Sequence, residues 1–198
     1  MTTKKDIIYL TIIIILIALC GQFYYSYRYQ PAHQISVYYN QDHPLNEEII
    51  NQIKDADKFV YFAVYTFTRQ DIEQALLGAK YRGLKVIGIT DRDQYSQAPG
   101  QKALIDALRN DGIPVYEQDH QGIMHMKALV TDKAYASGSY NWTTAATEIN
   151  DEVLEVGHDE TIRQNYQRIL EELFSKYGKT WYNRKASPAK RDPAPPEN

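Results

Sequence analysis

The sequence predicts an α/β domain carried behind one N-terminal transmembrane helix, and three observations predict it. Residues 7–25 form an apolar run without a charge. Between 35 and 178, β-branched and aromatic runs alternate with stretches of helical periodicity, the pattern of strands and helices sharing one sheet. From Lys185 onward the chain (KASPAKRDPAPPEN) turns to proline and charge with no large apolar side chain, so it lacks the surface needed to order itself. The 198 residues therefore divide into a short cytoplasmic start (1–6), an anchor (7–25), a linker (26–34), one domain (35–182) and a disordered tail (183–198).

As a helix the run 7–25 spans roughly 28 Å, close to the thickness of a bilayer's hydrocarbon core. Lys4 and Lys5 precede it, while Tyr24, Tyr25, Tyr27 and Tyr29 follow, which favours N-terminus inside and domain outside. A cleaved signal peptide, giving a secreted protein, is the alternative; Ala18-Leu19-Cys20 is a poor substitute for its cleavage site, so a retained anchor is preferred. Cys20 is the single cysteine, which excludes a disulfide framework and a thiolate metal site. A net charge of −3 gives no global basic field of the kind that grips nucleic acid nonspecifically.

Within the domain, 35–39 reads as a strand, and Leu45, Ile49, Ile53 and Ala56 mark one face of a helix. Residues 58–67 read as a buried strand, and Ile72, Ala75, Leu76 and Ala79 as the inner face of a helix over 71–81 that stops at Gly83. A strand over 84–90 closes at Asp91; Asp91, Arg92 and Asp93 then read as solvated loop charges. A helix over 101–109 is broken by Asp111-Gly112, followed by strands over 113–117, 126–131 and 134–137. A short helix begins near Thr143, and a strand over 153–156 and a helix over 160–177 complete the domain.

The chemistry is concentrated in His125-x-Lys127-x4-Asp132-x5-Gly138-Ser139-x-Asn141, with Glu152 about ten residues later. His125 and Lys127, two apart on a strand, share a face and can reach one phosphate. Gly138 allows close backbone approach, Ser139 and Asn141 supply hydrogen-bond donors, and a helix start at Thr143 adds amides. Together these side chains supply a nucleophile, a fixed cation and donors for the equatorial oxygens of a phosphodiester, and Glu152 suits a partner for the imidazole. Phe67, Thr68 and Trp142 are candidates for either cleft wall or core, with packing preferred for Phe67. Neither Asp91 with Asp93 nor His120 near His125 completes a metal-ligand pattern.

The segment HMKALVTDKAYASGSYNWTTAATEINDE resembles the phospholipase D superfamily and its His-Lys-Asp (HKD) signature. It is most similar to the short single-signature branch that includes the bacterial endonuclease Nuc and the mitochondrial nuclease Zucchini. AVYTFT at 63–68 and RGLKV at 82–86 carry the similarity over about 35–177. The resemblance implies a phospholipase D-like sandwich: a mixed, mostly parallel sheet flanked by helices. It implies His125 as nucleophile or acid, Lys127, Ser139 and Asn141 as phosphate ligands, Glu152 orienting the histidine, Gly138 in support, and no metal or other cofactor. Asp132 is expected to hold loop and subunit structure by ion pairing.

In that family a second signature supplies a second histidine, yet His33, His43, His120 and His158 all lack the following x-Lys. The resemblance therefore implies a homodimer with one composite site. The expected activity is hydrolysis of phosphodiesters through a covalent phosphohistidine, with nucleic acid slightly preferred over phospholipid head groups as substrate. Lys80, Arg82, Lys85, Arg92, Lys102 and Arg109 are candidates for a local basic surface. A noncatalytic membrane-tethered nucleic-acid binder is the alternative of another class.

Overall fold

A computed structural model describes residues 3–28 and 35–186. Helix α1 (Lys4–Arg28) forms one unit, and the remaining elements belong to another that starts at Ile35. Over the 23 residues Lys4–Ser26, α1 is long and apolar enough to cross a membrane by length and composition. Linker residues 29–34 and tail residues 187–198 lie outside the described residues; the last helix runs to Ala186, past the expected domain end.

The second unit runs β1 (Ile35–Tyr39), α2 (Leu45–Asp55), β2 (Phe59–Val64), α3 (Gln70–Tyr81), β3 (Lys85–Thr90), α4 (Arg92–Gln97) and α5 (Pro99–Asn110). It continues with β4 (Val115–Glu117), β5 (Lys127–Thr131), β6 (Tyr135–Gly138), α6 (Thr144–Glu148), β7 (Val153–Gly157) and α7 (Glu160–Ala186). The strands form a single sheet in the order β1-β7-β6-β5-β2-β3-β4. One core layer packs Ile49, Ile53, Ile72, Leu76, Ile105 and Leu108 of α2, α3 and α5 against Val60, Phe62 and Leu129. The other layer packs Leu170, Phe174 and Tyr177 of α7 against Tyr61, Ile89 and Val130.

The sheet is mixed, as the resemblance implies, but "mostly parallel" describes strand direction and not strand pairing. β2, β3 and β4 are joined in parallel through the crossovers α3 and α5. The β1-β7, β7-β6, β6-β5 and β5-β2 pairs are all antiparallel. The physical reason lies in β5 and β7, which run against the other strands and are interleaved among them. The β5-β6 connection, residues 132–134, is too short for a parallel crossover and turns the chain straight back.

Candidate active site

That interleaving builds the site. β2 ends at Val64 and β6 at Gly138, whereas β5 starts at Lys127 and β7 at Val153. Because β5 and β7 run opposite to β2 and β6, these four ends meet at one edge of the sheet. His125 lies just ahead of β5 and not within it, though pairing reaches its neighbour: the Tyr65 N–H donates to Met126 O at 3.0 Å. Met124, Met126 and Val130 face the α7 layer while Leu129 faces the other. Alternation therefore puts His125 and Lys127 on one face.

His125 is exposed, and the Tyr65 ring meets it edge-on with centroids 4.8 Å apart. Lys127, only 7% exposed, holds its Nζ 5.2 Å from the same Tyr65 ring and donates to His125 O at 2.9 Å. Burial pushes the Lys127 ammonium below its ordinary pKa, and the Glu152 carboxylate pulls partly the other way.

Opposite, Glu152 is buried and accepts from the Ser139 hydroxyl and from Asn150 Nδ2 at 3.2 Å. Ser139 Oγ also accepts from Val153 N, and its own N–H is spent on Val153 O, so the β6-β7 ladder fixes it. Asn141 Oδ1 accepts from Thr66 N at 3.2 Å, which uses the amide's acceptor and leaves its NH₂ to donate. Thr143 caps α6, accepting from Ala146 N at 3.1 Å. Among the described residues no hydrogen bond joins Glu152 to His125 of the same chain.

Gly138 is required by close approach: a Cβ there sits 2.2 Å from Val153 O, a backbone atom that cannot step aside. Gly138→Ala is expected to part β6 from β7 at the site, lowering stability by about 1–3 kcal/mol and activity with it, as thermal denaturation and turnover of the same preparation will check. Asp132 works differently from the expected ion pair. Its Oδ1 accepts the N–H groups of Asp57 at 3.0 Å and Lys58 at 3.1 Å, pinning the loop ahead of β2. Burial opposes its ionisation, but these backbone donors outweigh it and hold the carboxyl below its usual value.

Phe67 and Trp142 are core: both are at most 1% exposed, and their rings meet edge-on 4.9 Å apart. Several cations of the candidate basic surface have partners within the chain, although Arg82, Lys85 and Lys102 remain exposed. Arg82 donates to Ile53 O at 2.8 Å, Lys102 pairs with Asp106 at 2.5 Å, and Arg109 pairs with Glu117 at 2.8 Å. Lys85 lies over the Tyr61 ring, and Arg92 faces Asp93 at 3.5 Å. The remaining described histidines are engaged elsewhere: His43 with Glu48, His120 with Gln121 O and His158 with Lys133 O. Among the described residues no three His, Cys, Asp or Glu side chains converge as a metal site.

Sequence reasoning misses the buried polar groups that hold the site in place. Asp91 is no solvated loop charge: it is fully buried, caps α4 through the N–H groups of Asp93 and Gln94 at 2.9 Å, and accepts from Met124 N at 2.9 Å. The residue preceding His125 is thereby fastened to the end of β3. Gln94 of α4 donates to the Tyr65 hydroxyl at 3.1 Å, and buried Gln101 bridges Phe67 N and Tyr65 O. Asn40 accepts from Glu152 N at 2.9 Å and donates to Asn150 O at 2.7 Å, clamping the Glu152 strap. The one sequence signal was Asp91's place at the carboxyl end of a strand.

Comparison with known proteins accords with this geometry. The family described as "Cardiolipin synthase, PLD-like domain" matches residues 49–174. The mitochondrial cardiolipin hydrolase of Xenopus laevis is 34% identical over 136 residues, 68% of this chain and 63% of that protein. The phospholipase D of Rickettsia conorii is 31% identical over 140 residues, 70% of this chain and 63% of that protein. This chain thus spans about 63% of the length of each of these curated relatives. Among solved structures, Nuc of Salmonella typhimurium, a phospholipase D family member, superposes with TM-score 0.68 at 23% identity, covering 73% of this chain and 95% of that one. NucT of Helicobacter pylori superposes with TM-score 0.63 at 27% identity, covering 72% and 96%. The matched span takes in every strand from β2 to β7 and the whole His125 to Glu152 segment, and the chain belongs to the phospholipase D-like family.

Proposed function

We propose that this protein is a membrane-anchored phosphodiesterase acting as a homodimer through covalent catalysis on His125. The reading is carried by one observation: His125, Lys127, Ser139, Asn141 and Glu152 gather at one sheet edge, with the Asn141 acceptor already used by Thr66 N. A ring nitrogen of neutral His125 attacks phosphorus as the bond to the leaving oxygen breaks. The same histidine of a second copy gives that oxygen its proton. It then takes a proton from water, which attacks phosphorus and breaks the N–P bond. Lys127 and the Asn141 amide hold the equatorial oxygens throughout. Glu152 anchors the Ser139 hydroxyl in the free chain, and in the dimer its carboxylate orients the imidazole of the second copy.

Phospholipid takes first place as substrate. The 23-residue apolar helix suits a protein held at a bilayer, and the net charge of −3 gives no global basic field for nucleic acid. The names of the Xenopus and Rickettsia relatives point the same way. Nucleic acid is the second reading, favoured by the resemblance of the His125 to Glu152 segment to the short single-signature nucleases. The test incubates full-length protein in EDTA with vesicles of cardiolipin or phosphatidylcholine, with single-stranded DNA and with RNA. Lipid hydrolysis undiminished by the chelator is expected. Cleavage of nucleic acid alone rejects the lipid reading, and turnover that requires added metal rejects the mechanism.

A further inference from the structure

Away from the sheet edge, α3 and α5 leave a cavity of about 380 Å³ between them. One wall is a single face of α5, namely Gly100, Ala103, Leu104 and Ala107, whose glycine and alanines leave the groove open beside Leu104. The other wall is Thr68, Gln70 and Glu73. Glu73 is only 8% exposed, yet among the described residues its carboxylate has neither a hydrogen bond nor an ion pair. The nearby cation Arg69 is turned away onto Asp71 at 2.6 Å. Burial and then the like charge of Asp111 push the Glu73 carboxyl above its ordinary pKa.

Glu73 is a largely buried side chain whose carboxylate oxygens are still open to solvent, so it presents to the groove a negative charge that no cation among the described residues pairs. Its complement carries positive charge, which excludes anions. One carboxylate offers too few oxygens for a calcium or magnesium ion. The α5 wall asks for carbon, which Leu104, Ala103 and Ala107 can contact. We infer that this cavity binds an alkylammonium group, with Glu73 as counter-ion, Gln70 and Thr68 as further acceptors and the α5 face against its carbon atoms. The amine belongs either to a phospholipid head group or to a soluble amine. Thr68 and Arg69 donate to Trp142 O at 2.8 and 3.1 Å, so the cavity adjoins the strap next to Asn141 without sharing its side chains. The site does not depend on phosphodiester hydrolysis, and no turnover enters its test.

The test is calorimetric titration of the full-length protein in neutral detergent with choline, ethanolamine and the uncharged isostere 3,3-dimethylbutanol. The same titrations are run on Glu73→Gln and on Ala103→Leu, which fills the groove from the exposed side of α5. Saturable binding of at least one amine is expected, weakened at least tenfold by either substitution and by removal of the charge. Repeating the titration in nanodiscs separates the sources. Loss of soluble-amine binding in phosphatidylcholine discs but not in phosphatidylglycerol discs assigns the head group; retention in both assigns a soluble amine. Equal binding of dimethylbutanol, affinity unchanged in both variants, or no saturable binding overturns the inference.

Discussion

Replacing His125 with alanine is expected to lower turnover by about 10³-fold or more, the scale on which a covalent nucleophile is lost, with no shift in the unfolding transition. The side chain is exposed and packs only edge-on against Tyr65, so its removal leaves no cavity in either core layer. Lys127→Ala is a contrasting case, since that side chain is only 7% exposed and its loss disturbs packing as well as charge. Turnover measured beside a denaturation curve for both variants separates the roles. A His125→Ala enzyme that retains more than a tenth of its rate contradicts the assignment.

The largest stability effect is expected at Asp91. Its fully buried carboxylate accepts from Asp93 N, Gln94 N and Met124 N, each at 2.9 Å, and from Gln118 Nε2 at 3.0 Å. Asp91→Ala orphans these donors and is expected to cost about 3 kcal/mol or more. The Met124 bond is the one that reaches the site, so the rate also falls in whatever fraction stays folded. Burial alone raises the carboxyl pKa, but the four donors together outweigh it and hold it below the ordinary value. The sign follows: the folded pKa lies below the unfolded one, so this stability is complete above about pH 4 and is lost as pH falls through the folded value. Asp91→Asn keeps the shape without the charge. Its urea midpoint is expected to lie below wild type at pH 7 and to converge on it towards pH 3.

The strands and long helices were legible because their apolar residues repeat at the period of their element. Leu45, Ile49 and Ile53 on α2, or Ile72 and Leu76 on α3, admit one inward face. α4 was not legible: RDQYSQ has no buried residue, and its start is set by an Asp91 cap that is held by Gln118, just after β4, and by the segment ahead of His125. The strand expected over 58–67 stops at Val64 because the chain then leaves β3 to pair with the signature loop. Trp142 N donates to Thr66 O at 3.0 Å and Thr68 N to Trp142 O at 2.8 Å. The phosphate-facing side chains could be read from residue type and spacing. Their supports, Asp91, Gln94, Gln101 and Asn40, act across long sequence separations, and a polar residue's partner is not written in its neighbours. The antiparallel sense of β5 and β6 likewise follows from their three-residue connection and not from strand composition.

The central claim is that one chain carries half of a catalytic site, and subunit mixing tests it most directly. Wild-type protein is exchanged with rising proportions of His125→Ala at constant total concentration, and turnover is followed against the wild-type fraction. If both histidines of a dimer are needed, only wild-type pairs work, and the rate is predicted to follow the square of that fraction. A rate that falls in direct proportion to the wild-type fraction would contradict the account, because each chain would then be working alone.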